Sequence, residues 1–221
     1  MRCTFSKVFR EIRLMNRDME PTALCGADND LPRDPFEVLI TTVLSQRTRD
    51  DNTRRAAKRL FSYYRTVESL AEADVKHVTK LIRSVGFYRV KAKSIKSIAK
   101  TLMEKYGGLV PKETDRLLEL PLVGRKTANC VLVYGFRIPA IPVDTHVHRI
   151  VNRLSIVKTK NPEETESRLR VVVNKKFWLS LNEELVKFGQ RVCKPLKPRC
   201  TICKIRMCCD WYKSHRSRSY K

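Results

Sequence analysis

The stretch ETDRLLELPLVGRKTANCVLVYGF, residues 113–136, decides the fold. Two helical patterns flank the short break Leu120-Pro121-Leu122-Val123-Gly124, so the segment reads as two helices meeting at a tight hairpin. Pro121 has no backbone N–H and cannot continue the first helix. Gly124 lets the backbone come close to a partner, and the second helix starts with N–H groups that lack intrahelical acceptors. Arg125 and Lys126 stand at that N-terminus, where positive charge opposes the helix dipole and costs stability unless an anion lies in front. The segment fits a phosphate-binding hairpin, and it fits a generic helical hairpin with a solvated lysine as well.

The periodicity continues on both sides. Apolar residues recur at helical spacing almost throughout, as at Ala92, Ile95, Ala99 and Leu102, and no run shows convincing strand alternation. The expected fold class is all-α. Start and stop signals cut the chain into many short helices: Asp34-Pro35 opens one, Asp74 opens another that Gly86 ends, Gly107 closes a third, and Asn161-Pro162 opens a later one. The segment from Tyr212 to Lys221 is basic and serine-rich, and reads as a frayed terminus that adds nonspecific attraction to phosphate.

The 221 residues are enough to bury a real core, in one domain or two small ones. Lys and Arg number 46 against 23 Asp and Glu, a formal net charge of +23. Such an excess repels itself in the compact state, and a polyanion that screens it, nucleic acid first, is the economical explanation; a solvated surface or adaptation to heat would account for it too. No stretch reaches the ~18 uncharged apolar residues of a membrane helix, and the start MRCTFSKVFREIR lacks the apolar core of a signal peptide. The protein is expected inside the cell. Eight cysteines in a reducing compartment argue against structural disulfides. Cys3, Cys25 and Cys130 are scattered and read as buried small hydrophobes. Cys193, Cys200, Cys203 and Cys209 give the spacing C-x6-C-x2-C-x5-C, which implies a metal centre, with Cys208 as a bystander thiol. Zinc commonly uses two separated short pairs, of which this set has one, and the spacing also departs from the usual ferredoxin runs.

LPLVGRKTANCVLVYGF followed by IPAIPVDTHVHRI resembles the helix-hairpin-helix and catalytic segment of the endonuclease III family, and the resemblance extends over nearly the whole chain. Gly124 and Ala128 match a glycine and a small packing residue of that pattern, whereas Leu122 stands where the family has glycine. If that position needs positive φ, leucine costs ~1 to 2 kcal/mol there and alters the hairpin's hold on phosphate. The resemblance implies that Lys126 is a nucleophile and Asp144 its carboxylate partner. Asp144 precedes an apolar-periodic run and is also a natural N-cap, one oxygen accepting from backbone while the other faces substrate. The resemblance further assigns Cys193, Cys200, Cys203 and Cys209 to a 4Fe-4S cluster, with Lys194, Lys197, Arg199, Lys204 and Arg206 held around it for phosphate. The implied fold has a six-helix domain over residues 31–138, a second helical domain from 1–30 plus 139–221, and a DNA-binding cleft between them.

The implied activity is removal of oxidised pyrimidines from duplex DNA by a monomer, coupled to cleavage at the abasic site. An amine that attacks the sugar carbon forms a covalent adduct that opens to a Schiff base, which a water nucleophile cannot do. A carboxylate stabilises the positive charge that grows on the sugar. Reaching the base requires flipping it out, and the gap must be filled. In LSQRTRD, residues 44–50, simple alignment puts Arg47 where relatives carry a gap-filling glutamine, with Gln46 one residue earlier. In SVGFYRVKA, Phe87 stands where relatives have an apolar wedge, though the residues alone favour a core Phe beside a helix cap. His146 is implied to line the pocket, and His148 to be an ordinary packing residue. A mismatch glycosylase for uracil, thymine or adenine is the nearer rival, but such relatives generally lack the lysine matching Lys126. A non-catalytic iron-sulfur DNA-binding module is the more distant one.

Overall fold

The computed structural model describes residues 3–25 and 34–215. It divides into two compact units, Pro21–Pro142 on one hand and Met1–Glu20 with Val143–Lys221 on the other. The boundaries thus fall at 20/21 and 142/143, against 30/31 and 138/139 from the sequence. Among the described residues every regular element is helical.

The unit Pro21–Pro142 holds α2 (Pro35–Ser45), α3 (Asp50–Tyr63), α4 (Val67–Glu72), α5 (Val75–Leu81), α6 (Tyr88–Tyr106), α7 (Thr114–Leu118) and α8 (Arg125–Cys130). Among the described residues that is seven α-helical segments, one more than the resemblance implies, with α4, α5, α7 and α8 only five to seven residues long. Asp34 caps α2 through Glu37 N at 2.8 Å, with Pro35 in the first turn. Helix α2 is buried almost all round, and α3, α6 and α8 pack against it. The predicted stripe of α6 is fully buried at Ala92, Ile95, Ala99 and Leu102, each large side chain contributing about 1.5–3 kcal/mol. Gly107 ends α6 in the left-handed conformation, φ 57°. Asp74 caps α5 as expected, yet α5 stops at Leu81 instead of running to Gly86. Residues 82–86 turn instead, because Gly86 lies against another backbone segment: a Cβ there would stand 2.8 Å from Arg47 O.

The other unit contains α1 (Phe5–Met15), α9 (Thr145–Arg153), α10 (Pro162–Val172), α11 (Trp178–Arg191) and α12 (Asp210–His215). Helix α1 packs on α11, where Phe5 and Phe9 meet Phe177 and Asn16 Nδ2 donates to both Glu184 O and Oε2 at 2.8 Å. Asn161 caps α10 at Glu164 N, with Pro162 following. Two expectations fail in this unit. Cys3 is exposed and forms a disulfide with Cys208, so neither is a lone or bystander thiol. The pair is 205 residues apart in sequence, and only the docking of α1 beside the cysteine loop brings its Cα atoms to 5.7 Å. The segment read as frayed is helical as far as His215; its remainder, 216–221, lies outside the described residues.

Candidate functional site

In the first unit the hairpin forms as the sequence dictates. Helix α7 gives way to a turn in which Val123 N donates to Leu120 O at 3.1 Å, and Leu122 adopts φ 58°. The position therefore does require the left-handed region, and leucine accepts it at about 1–2 kcal/mol while the hairpin keeps its shape. Gly124 is extended, and a Cβ there would meet no atom within 4 Å, so the space in front of it is open. Helix α8 starts with no side-chain cap and no acid in its first turn; Arg125 is exposed and Lys126 half-buried. Its buried remainder, Thr127 to Cys130, runs into one π-helical turn, Val131–Gly135, where a Cβ on Gly135 would press on Pro35. Asn129 Nδ2 reaches on to Ile141 O at 3.2 Å.

Two turns of the same unit carry the candidate gap-filling residues. Gln46 is turned inward, its Nε2 donating to Leu122 O at 2.9 Å and to Thr127 Oγ1 at 3.4 Å. Arg47 is exposed at φ 51°, and its guanidinium lies 5.7 Å from the ring centre of Phe87. Phe87 is 62 % exposed with φ 56°, which disposes of the core reading for that residue. Sequence reasoning missed the group behind these turns. Lys91 is 3 % exposed, and its Nζ donates to Leu44 O at 2.8 Å, Gln46 O at 2.5 Å and Thr48 Oγ1 at 3.1 Å. The sequence carries no signal for it: Lys91 sits one turn before Ile95, on the edge of the apolar stripe of α6, a place where a lysine is normally solvated.

In the second unit Asp144 caps α9, with His146 N at 2.9 Å and Val147 N at 2.8 Å both bonded to Oδ1. Oδ2 stays outside the cap, the division of labour that the sequence allowed. His146 Nδ1 accepts from Arg149 Nη2 at 3.0 Å, since a guanidinium only donates; the imidazole proton is then on Nε2. Burial lowers the His146 pKa, the Asp144 carboxylate opposes this, and the Arg149 charge adds to it. His148 instead packs with Thr165, Nδ1 to Oγ1 at 2.7 Å.

The four cysteines Cys193, Cys200, Cys203 and Cys209 line one cavity together with Ile150, Arg153 and Trp211. Burial, reinforced by the charges of the other three sulfurs and opposed by a hydrogen bond to the Ile205 backbone, pushes the Cys203 thiol up to about 12. They surround a space instead of converging on a point: among the described residues no three His, Cys, Asp or Glu side chains stand close enough to hold a single metal ion. A four-iron cluster takes each thiolate at its own iron, so a wide ring of soft donors fits it. Cys208, tied to Cys3, does not compete for the fourth position. Helix α9 clamps the loop, through Arg149 Nη2 to Cys193 O at 2.8 Å and Arg153 Nη1 to Lys194 O at 2.7 Å.

A helical protein with a helix-hairpin-helix, an open helix N-terminus and a large positive charge is of the class that binds nucleic acid backbone. The HhH-GPD superfamily base excision DNA repair protein family matches residues 40–175. The endonuclease III of Thermotoga maritima is 52% identical over 185 residues, covering 84% of this chain and 87% of that protein. The endonuclease III of Bacillus subtilis is 39% identical over 193 residues, 87% of each. Among solved structures, a trapped endonuclease III–DNA covalent intermediate superposes with a TM-score of 0.85 at 35% identity, over 96% of both chains. A thermostable thymine-DNA glycosylase follows at 0.82 and 25% identity, over 94% and 95%. The chain belongs to the endonuclease III family within the HhH-GPD superfamily, DNA glycosylases and AP lyases of base excision repair.

Proposed function

We propose that the chain removes oxidised pyrimidines from duplex DNA and cuts the strand at the resulting abasic site, with Lys126 as nucleophile and Asp144 as the carboxylate that stabilises the sugar. One observation carries the reading: Lys126 stands in the first turn of a helix that has neither side-chain cap nor acid, directly after a hairpin with open space in front. The attack requires the neutral amine, because an ammonium has no lone pair to give to the sugar carbon. The neutral Lys126 Nζ attacks the sugar carbon and the base departs with a proton. The attacking nitrogen gives up the proton that leaves with the base; the ring C–O bond then breaks as the nitrogen lone pair forms the protonated Schiff base and the ring oxygen takes a proton from water, and removal of a proton from the next carbon expels the 3′ phosphate. Asp144 Oδ2, outside the α9 cap, faces the charge that develops on the sugar.

Cys193, Cys200, Cys203 and Cys209 hold a 4Fe-4S cluster, which fixes the loop carrying Lys194, Lys197, Arg199, Lys204 and Arg206 against phosphate. Arg47, Phe87, Leu122, Gly124, Arg125 and His146 contact DNA, with Arg47 filling the gap and Gln46 acting as a brace behind it. The protein works as a monomer on DNA inside the cell. The test is excision and borohydride trapping on a panel of oxidised-pyrimidine, mismatched and abasic duplexes. Wild type should be trapped on oxidised pyrimidines and abasic sites, Lys126→Ala should not, and Asp144→Asn should slow excision. Trapping of Lys126→Ala at wild-type level removes the mechanism, and excision confined to mismatches removes the lesion class.

A further inference from the structure

Lys91 has no place in the chemistry just described, yet it is among the most deeply buried charged groups in the protein, 3 % exposed. From the first turns of α6 its side chain runs back toward the helix start, as helical side chains do. There it reaches the C-terminal end of α2, whose last carbonyls have no intrahelical donors. An ammonium has three N–H bonds, and three acceptors meet it: Leu44 O, Gln46 O and Thr48 Oγ1. The Thr48 hydroxyl donates to Gln46 O at 3.2 Å and accepts from Gly86 N at 3.0 Å. One ammonium therefore ties together two turns from distant parts of the sequence: Gln46-Arg47-Thr48 and Gly86-Phe87.

These turns are in direct backbone contact, as the clash of any Cβ on Gly86 with Arg47 O shows. Each presents one exposed side chain from a left-handed residue, Arg47 and Phe87, with the guanidinium over the ring. A left-handed non-glycine residue persists only where its surroundings hold it. We infer that Lys91, acting with Thr48, is a positioning residue that holds Arg47 and Phe87 as a single preformed wedge for entering the DNA duplex. This rests on the reading of Arg47 and Phe87 as the duplex-entering residues given above. A wedge assembled before contact with DNA does not lose ordering entropy at the moment the base is flipped. Burial draws the Lys91 pKa down to about 8, which still leaves the three-donor ammonium predominant at neutral pH.

The test exploits a substrate that needs neither flipping nor a wedge, an abasic site in single-stranded DNA, as the reference for the same site in duplex. Single-turnover strand cleavage is measured at pH 7 on an abasic site in duplex and in single-stranded DNA, for wild type, Lys91→Met, the milder Thr48→Val, and the double variant Arg47→Ala/Phe87→Ala. In Lys91→Met the ratio of duplex to single-strand rate should fall about ten- to a hundredfold, the scale expected from displacing a positioned group by ~1 Å. Thr48→Val removes the hydroxyl's hydrogen bonds to Lys91, Gly86 and Gln46 and should lower the ratio at least about fivefold. Adding Lys91→Met to the double variant should change the ratio less than about twofold, since the two act as one unit. Equal loss on both substrates makes Lys91 a general stability residue and overturns the inference, as does full additivity with the double variant. If Lys91→Met does not fold, Thr48→Val alone decides, an unchanged ratio overturning it. Failure of the wedge reading itself looks different: the double variant then keeps the wild-type ratio.

Discussion

Gly189 on α11 permits an approach to α9 that any side chain would block. A Cβ there would collide with His146 Nδ1 and stand 3.0 Å from Arg149 Nη2. Neither neighbour is a freely swinging side-chain end: His146 and Arg149 are bonded to each other at 3.0 Å, and Arg149 is fixed to Cys193 O at 2.8 Å. Gly189→Ala must therefore push α9 away or break this chain of bonds. Overpacking of this kind costs about 1–3 kcal/mol, and a lost charged hydrogen bond adds about 1.5–3. Alanine recovers about 1 through helix propensity, which leaves a net loss of roughly 1.5–5 kcal/mol. For a chain of this size that is about 3–20 °C in Tm, read by calorimetry. Because Asp144 caps the first turn of α9, the displacement also moves its carboxylate, and excision in single turnover should fall about tenfold or more. A Gly189→Ala protein with wild-type Tm and rate would refute the claim that α9 is positioned by this contact.

Three further outcomes are expected. At Leu122, with φ 58°, Leu122→Gly should be more stable than Leu122→Ala by about 0.5–1 kcal/mol in urea unfolding, the reverse of the usual order, because glycine escapes the left-handed penalty; Ala above Gly would show the turn to be unstrained. The Cys3–Cys208 bond closes a span of 205 residues, so Cys3→Ser should destabilise by 2 to at most about 5 kcal/mol, and reductant should lower the wild-type Tm but not the variant's; equal reductant effects would deny the link. Lys91 is depressed to about 8 from 10.5, so the unfolded chain binds the extra proton between these values and wild-type stability rises with pH across that window. Relative to Lys91→Met the gain approaches ~3 kcal/mol by pH 10.5 and is absent below pH 8; a pH-independent difference would exclude a buried ammonium.

What the sequence revealed follows from how local its cause is. The hairpin, the caps at Asp34, Asp74 and Asn161 and the stop at Gly107 depend on a few adjacent residues, and all were legible. The buried stripe of α6 needed only periodicity. By contrast, α5 stops short of Gly86 because Gly86 serves a contact with residue 47, which no local rule contains. The cysteine spacing displayed four ligands but hid the fifth cysteine's partner, which stands at the other end of the chain. Lys91 was illegible for a related reason. A lysine beside an apolar stripe is normally solvated, and only the carbonyls at the end of α2, 45 and 47 residues earlier, make its burial affordable.

The same logic explains which of Gln46 and Arg47 projects outward. Gln46 is the joint of a frame: its side chain donates to Leu122 O, and its carbonyl accepts from Lys91 and from Thr48. Swinging the Gln46 side chain out toward a ligand would break its hydrogen bonds to Leu122 O and Thr127 Oγ1, at a cost of about 1 kcal/mol each. Swinging out the neighbouring Arg47 breaks only a contact over Phe87. Three of the five left-handed non-glycine residues among those described, Arg47, Phe87 and Leu122, hang on this frame, and all three are exposed. Each alone would relax at a gain of about 1–2 kcal/mol. Joined through Gln46, Lys91 and Thr48 they cannot relax singly, so strain that would loosen an isolated turn instead keeps three outward side chains in fixed register.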